Sequence, residues 1–139
     1  MTYARIKRNL PKLVRFGCVG TLGAVINFLT YYGAVEFAHF SINVAAIISF
    51  CVAVTNNYIL NHLWTFGAEN KQNNINMRQY IYYFLGNIFG LAINLTILNF
   101  VIFYAGKEEH FIGQGAGILC GMLSNFIIAK KFVFIKKMI

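Results

Sequence analysis

The sequence predicts an all-α integral membrane protein of four transmembrane helices, and three observations carry that expectation. Of the 139 residues 58% are apolar and only 12% charged, with a mean hydropathy of +0.60, against about 45–50% apolar content in an ordinary soluble domain. Four runs lack Asp, Glu, Lys and Arg altogether, and each supplies about the 20 residues that a hydrocarbon core of about 30 Å requires. All Lys and Arg residues but one flank these runs on one side, as basic residues of short loops do when they remain in the cytoplasm.

The first span, 16–37, follows Arg5, Lys7, Arg8, Lys12 and Arg15. No small-residue cleavage site follows it and three more spans do, so it reads as a retained helix rather than a secretory signal. A short loop bearing Glu36 leads to the second span, 42–63; Lys71 and Arg78 then precede the third, 80–104. Lys107, Glu108 and Glu109 lie in the turn to the fourth, 111–129, and Lys130, Lys131, Lys136 and Lys137 follow it. Eleven of the twelve basic residues thus share a side with the termini, which predicts both ends inside and a multi-pass protein of the cytoplasmic membrane. Tyr31, Tyr32, Phe37, Phe103 and Tyr104 on one side, and Trp64, Phe66, Tyr82, Tyr83 and Phe132 on the other, read as interfacial anchors. With one proline and no low-complexity stretch, residues 1–139 are expected to form a single membrane domain.

The net charge of +8 is therefore a basic layer at the inner membrane face, and nucleic acid is not expected as a partner because the bases flank spans. Cys18, Cys51 and Cys120 are isolated inside spans and read as small packing residues. No Ser/His/Asp or Cys/His set, no ligand cluster of metal spacing and no GxxxxGK[ST] loop is legible, so no catalytic residue, metal or cofactor is expected. None of the four acids lies at mid-membrane, where a proton relay or cation counter-ion would need one. His39, His62 and His110 fall near interfaces.

The second half of the chain echoes the first when shifted by 67 or 68 positions. Gly23 and Asn27 correspond to Gly90 and Asn94, and Ser49, Ala53, Asn57 and Asn61 to Gly117, Gly121, Asn125 and Ala129. Two spans per half force both halves to enter the membrane in the same sense, so the expectation is two parallel helical-hairpin repeats. The other explanation is chance similarity between apolar segments. Gly86-xxx-Gly90 and Gly113-xxx-Gly117-xxx-Gly121 predict a close crossing of helices 3 and 4, since small residues let backbones approach in lipid.

Amides inside a span need partners, which makes them either interhelical glue or part of a ligand path. Asn27 lies eleven residues beyond Phe16, about 17 Å at 1.5 Å per residue, near the bilayer midplane. Asn94 is at similar depth, and Asn57, Asn61 and Asn125 lie toward the inner ends of helices 2 and 4. Together they outline a polar groove whose mouth is ringed by Arg15, His62, Lys130 and Lys131. Single cations there serve as stop-transfer anchors; a ring of them over a polar groove suits a membrane-embedded phosphate.

The order Arg15-Phe16-Gly17, Gly20, Gly23, Asn57-Tyr58, a basic and aromatic exit at His62 to Phe66, and a second exit at Asn125-Phe126 to Lys130-Lys131-Phe132-Val133-Phe134 resembles the GtrA-like family of small four-span membrane proteins. The resemblance covers residues 14–134. It implies a protein of cell-surface polysaccharide synthesis or glycosylation that flips a polyprenyl-phosphate-linked monosaccharide across the cytoplasmic membrane, in contact with membrane lipid. Four helices enclose little volume, so a homodimer or a complex with a glycosyltransferase is expected. Where that family has Arg residues after its Asn-Phe pattern, this chain has His62-Leu63. Either His62 supplies a weaker contact, or Lys130 and Lys131 carry the anion alone. The alternatives are a membrane scaffold that recruits a glycosyltransferase, and a small cation or drug exporter, for which Glu36 is poorly placed.

Overall fold

The computed structural model describes residues 3–67 and 74–129, with side chains for 11, 14–67 and 74–125. Four helices follow one another: α1 Tyr3–Glu36, α2 Ile42–Leu60, α3 Met77–Ala105 and α4 His110–Ala129. A π-helical turn, Asn61–Thr65, prolongs α2, and a 3-10 turn, Lys107–Glu109, introduces α4. No strand occurs among the described residues. The segments Val14–Glu36, Ile42–Thr65 and Met77–Ala105 are long and apolar enough to cross a membrane. The fourth helix carries Gln114, Ser124, Asn125 and four glycines in its 20 residues.

Helix α1 winds through Pro11 back to Tyr3, well before the first span expected from charge. Freedom from charge delimits what lipid accepts, not what winds into a helix, and Ala4, Arg5, Lys7, Leu10, Lys12 and Leu13 are all good helix formers. After Glu36 the chain reverses: Phe37 and Ala38 N–H donate to the Gly33 carbonyl, Phe40 N–H donates to Ala34, and His39 takes φ +56°. The second reversal uses Gly106 at φ +100°. At the start of α3 the Asn76 side chain accepts the Arg78 N–H at 2.8 Å, satisfying one orphan donor of the first turn.

The chain thus forms two antiparallel hairpins, α1 with α2 and α3 with α4, laid side by side. The ends of the helices define two poles, one holding the α1–α2 and α3–α4 turns, the other holding the start of α1 and the end of α4. The buried core sits at the turn pole, where Tyr31, Ala34, Ala45, Ala46 and Leu98 pack with Val35, Ile42, Leu95, Ile102 and Phe111. Between α3 and α4 a side chain on Gly121 would meet the Gly90 carbonyl, one on Gly117 the Asn94 carbonyl, and one on Gly113 the Leu98 carbonyl. These glycines hold the crossing as small-xxx-small packing does in lipid. Gly86 meets nothing within 4 Å and faces a cavity instead. Leu22, Leu29, Leu85, Phe89, Phe100 and Leu119 are exposed on the outer surface, an apolar coat that fits a chain solvated by lipid tails. The chain is a multi-pass membrane protein.

Candidate functional site

Away from the turn pole the four helices separate around a cavity of about 500 Å³. Its deep end lies at Asn27, Phe50, Asn94 and Gly117; its mouth lies at Phe16, Asn61, Tyr82 and Tyr83, close to the terminal pole. Two residue types dominate the wall. Asn27, Asn57, Asn61, Asn87, Asn94 and Asn125 supply amides, and seven glycines from α1, α3 and α4 leave the backbone bare between them. Among the described residues, no Asp, Glu, Lys, Arg or His lines the cavity. These amides form neutral hydrogen bonds as donors and as acceptors.

Each hairpin places an asparagine against a glycine. A side chain on Gly23 would overlap the Asn57 amide, and one on Gly90 would stand 2.6 Å from Asn125 Nδ2. As they stand, the two amides occupy the space that a side chain at Gly23 or Gly90 would take. Asn125 Nδ2 donates to Asn87 Oδ1 at 3.2 Å, while Asn87 Nδ2 returns to the Tyr83 carbonyl at 2.8 Å. Asn61 holds the π-helical turn: its carbonyl accepts from Phe66 N–H, its Oδ1 accepts from Thr65 at 2.8 Å, and its Nδ2 donates to the Tyr83 hydroxyl at 3.2 Å. π-turns of this kind recur at functional sites.

The seams between the hairpins differ. Helices α2 and α3 are joined along their length, by Asn43 and Asn99 at 2.8 Å near the turns, by the Phe50 and Phe84 rings, by the Thr55 and Tyr80 hydroxyls at 2.8 Å, and by Tyr58 with Gln79 at 3.3 Å. Among the described residues, the hydrogen bonds and ring contacts between α1 and α4 lie in the turn half. Tyr31 hydroxyl bonds His110 Nδ1 at 2.9 Å, Phe28 meets Phe111, and Gln114 Nε2 donates to Asn27 Oδ1 at 3.0 Å. Toward the terminal pole, positions Gly17 and Gly20 of α1 have nothing within 4 Å of where a side chain would start.

All five asparagines singled out from the sequence border this one cavity. Arg15 stands beside Phe16 at the mouth, where its Nη1 donates to the Trp64 carbonyl at 3.2 Å and its guanidinium lies 5.6 Å from the Trp64 ring centre. His62 does not line the cavity: it is 6% exposed and its ring meets that of Tyr58, tilted by 44° with centres 5.9 Å apart. Lys130 and Lys131 lie outside the described residues. Sequence reasoning missed Gln114, which is 0% exposed, and Asn87 and Tyr83. The asparagines were found by matching the two halves, and a shift of 67 or 68 sets Gly20 against Asn87 and Ala46 against Gln114. Asking instead for every amide inside a charge-free run would have found both.

Several amide atoms here are buried without a hydrogen-bond partner: Asn57 Oδ1, Asn125 Oδ1, and both Oδ1 and Nδ2 of Asn94, with Gln114 Oε1 just beyond the lining. A buried unpaired polar group costs about 1–3 kcal/mol, so four such atoms around one cavity are not incidental to its walls.

The sequence profile of the family described as GtrA/DPMS, transmembrane domain, matches residues 15–134. An uncharacterized membrane protein of Bacillus subtilis (strain 168), YngA, is 26% identical over 132 residues, covering 95% of this chain and 85% of its own length. No solved structure matches.

Proposed function

The chain belongs to the GtrA/DPMS transmembrane-domain family, and from that premise we propose that it translocates a polyprenyl-phosphate-linked monosaccharide across the cytoplasmic membrane for cell-surface polysaccharide synthesis or glycosylation. The observation that carries this reading is the amide-lined cavity, without charge among its described lining residues, closed at the turn pole and reaching toward the basic pole. A sugar needs a polar enclosure to pass the hydrocarbon, and amides provide one without the cost of burying charge. Arg5, Lys7, Arg8, Lys12 and Arg15 in the first half of α1 support a cytoplasmic terminal pole.

In this mechanism the lipid phosphate rests at the mouth on Arg15, Lys130 and Lys131, with His62 behind them. The sugar enters past Asn61, Asn57 and Asn125 toward Asn27 and Asn94. The polyprenyl tail stays in lipid, reached through the gap that bare Gly17 and Gly20 leave beside α4. Passage outward parts the turn-half seam that Tyr31–His110 and Asn27–Gln114 now close. No bond of the substrate is made or broken, and consumption of the sugar outside draws the exchange forward. A homodimer, or a complex with the glycosyltransferase that consumes the substrate, completes the lipid-facing wall.

Two parallel hairpin repeats are part of the same proposal. Gly23 against Asn57 and Gly90 against Asn125 are equivalent contacts under the shift of 67 and 68. So are Tyr32 against Phe111 and Asn99 against Asn43, across the two seams.

Reconstitution tests the proposal. Liposomes carrying the purified chain and a short-chain polyprenyl-phosphate hexose should move the sugar to the opposite leaflet faster than protein-free liposomes. Equal rates would remove translocation and leave recruitment of a glycosyltransferase as the role.

A further inference from the structure

Helix α3 presents Tyr82, Gly86, Gly90 and Asn94 to the cavity at four-residue spacing, and Arg78 is the next residue of that row toward the mouth. The Arg78 guanidinium lies 5.9 Å from the centre of the Tyr82 ring, and Tyr82, 64% exposed, is itself part of the mouth. On the other hairpin the Arg15 guanidinium lies over Trp64, beside Phe16. Under the shift of 67 that sets Gly23 against Gly90, Phe16 falls at Tyr83 and Arg15 at Tyr82. The second hairpin thus has a tyrosine where the first has its arginine, and Arg78 brings a guanidinium back to that tyrosine from one turn earlier.

Resting on the translocase reading, we infer that Arg78, held over Tyr82, binds the lipid phosphate from the α3 side of the mouth, so that each hairpin supplies one guanidinium. Among the described residues the Arg78 side chain donates no hydrogen bond and pairs with no acid; Glu36, Glu108 and Glu109 stand at the opposite pole. An aromatic ring attracts the guanidinium charge and takes up none of its N–H donors, which leaves the fork open for two phosphate oxygens. Ile81, Tyr82 and Leu85, in the next two turns, are exposed. They offer an apolar approach on which a lipid tail can lie while its phosphate meets Arg78, and a soluble phosphate has no use for such a surface.

The test uses the full chain in nanodiscs of zwitterionic lipid, with short-chain polyprenyl phosphate as probe and fluorescence of the single tryptophan, Trp64, as signal. Arg78→Gln should weaken binding about tenfold, the lower end for hydrogen bonds to a charged group. Arg78→Lys keeps the charge and loses the fork, so it should recover only part of that loss. Tyr82→Leu should weaken binding too and Tyr82→Phe should restore it, because phenylalanine keeps the ring beneath the guanidinium. Lys107→Gln removes one positive charge at the opposite pole and should change nothing. Arg78 is exposed and its helix is capped through its backbone N–H, so its variants should melt with the parent. Full affinity in Arg78→Gln or in Arg78→Lys overturns the inference, as does a loss in Lys107→Gln equal to that in Arg78→Gln. A Tyr82→Phe variant no better than Tyr82→Leu overturns the part given to the ring. Inorganic phosphate and phosphatidylglycerol, each in place of the probe, should bind more weakly; equal affinity for either overturns a carrier-lipid site. Arg78-dependent binding without translocation in liposomes removes the transport reading and keeps this residue, whereas translocation with binding unchanged in Arg78→Gln does the reverse.

Discussion

The two hairpins solve one packing problem at different spacings. In α1–α2 a single glycine, Gly23, makes room for the Asn57 amide, and the α2 face beyond it carries Ala53 and Ser49. In α3–α4 the same unit recurs at Gly90 and Asn125, but Gly121 and Gly117 replace Ala53 and Ser49, and the backbones themselves meet. The first hairpin therefore tolerates a small side chain where the second tolerates none. A tight hairpin beside a looser one allows relative movement while each helix pair stays intact, because dense packing resists continuous deformation and seams between packed units open first.

Adding a methyl at the tight crossing should have the largest effect. In Gly121→Ala the new carbon would stand 2.8 Å from the Gly90 carbonyl oxygen, with backbone on both sides unable to yield. The expected loss is about 1–3 kcal/mol, the range of overpacked interiors, read as a fall in melting temperature in detergent. Gly20→Ala in the first hairpin, with nothing within 4 Å, should gain up to about 1 kcal/mol from helix propensity. If both variants move the melting temperature the same way, the hairpins do not differ as described.

The turns extend the comparison. Gly106 sits at φ +100° and ψ 160°, a region open to glycine and costing other residues about 1–3 kcal/mol. Gly106→Ala should therefore lower stability by about 1–2 kcal/mol, after the smaller entropy gain of alanine in the unfolded chain. An unchanged melting temperature would show that the second reversal makes no such demand.

Much of this architecture was legible before any coordinates. Runs without charge mark where lipid can be met, and the stripe Gly113, Gly117, Gly121 pointed to the α3–α4 crossing because nothing else in lipid rewards glycine at every fourth position. Five asparagines that border the cavity were readable as amides in the wrong solvent. What the sequence hid was asymmetry. Gln114 and Asn87 have no counterpart in the other half, so a search for matching residues passes over them. The π-helical turn at Asn61–Thr65, whose Asn61 side chain donates to Tyr83 of α3, was hidden too. Within that turn His62 is a buried ring against Tyr58, where charge and position alone suggested a residue at the mouth.

Gln114 offers a smaller test of the same asymmetry. Gln114→Leu strips Asn27 of its donor at the α1–α4 seam, and interhelical hydrogen bonds in membranes are worth about 0.6 kcal/mol on average and up to about 2. A loss near about 1 kcal/mol is expected, recovered in part when Asn27→Leu is added, since two apolar partners cost less than one abandoned amide. A double variant no more stable than Gln114→Leu would mean that the pair does not act as a unit.

The smallest effect is expected at the first turn. His39 holds φ +56°, a conformation that costs a side chain about 1–2 kcal/mol but that histidine enters more readily than most residues. His39→Gly removes that strain and adds a comparable entropy penalty, about 0.5–1 kcal/mol, because glycine has more freedom to lose on folding. The two terms nearly cancel, so the melting temperature should move by no more than a few tenths of a kcal/mol equivalent. Gly106→Ala has no such cancellation, since its strain exceeds its entropy gain. Equal and opposite shifts in the two variants would mean that both turns impose the same backbone demand; a silent His39→Gly beside a costly Gly106→Ala assigns the stricter turn to the hairpin that is also the more tightly packed.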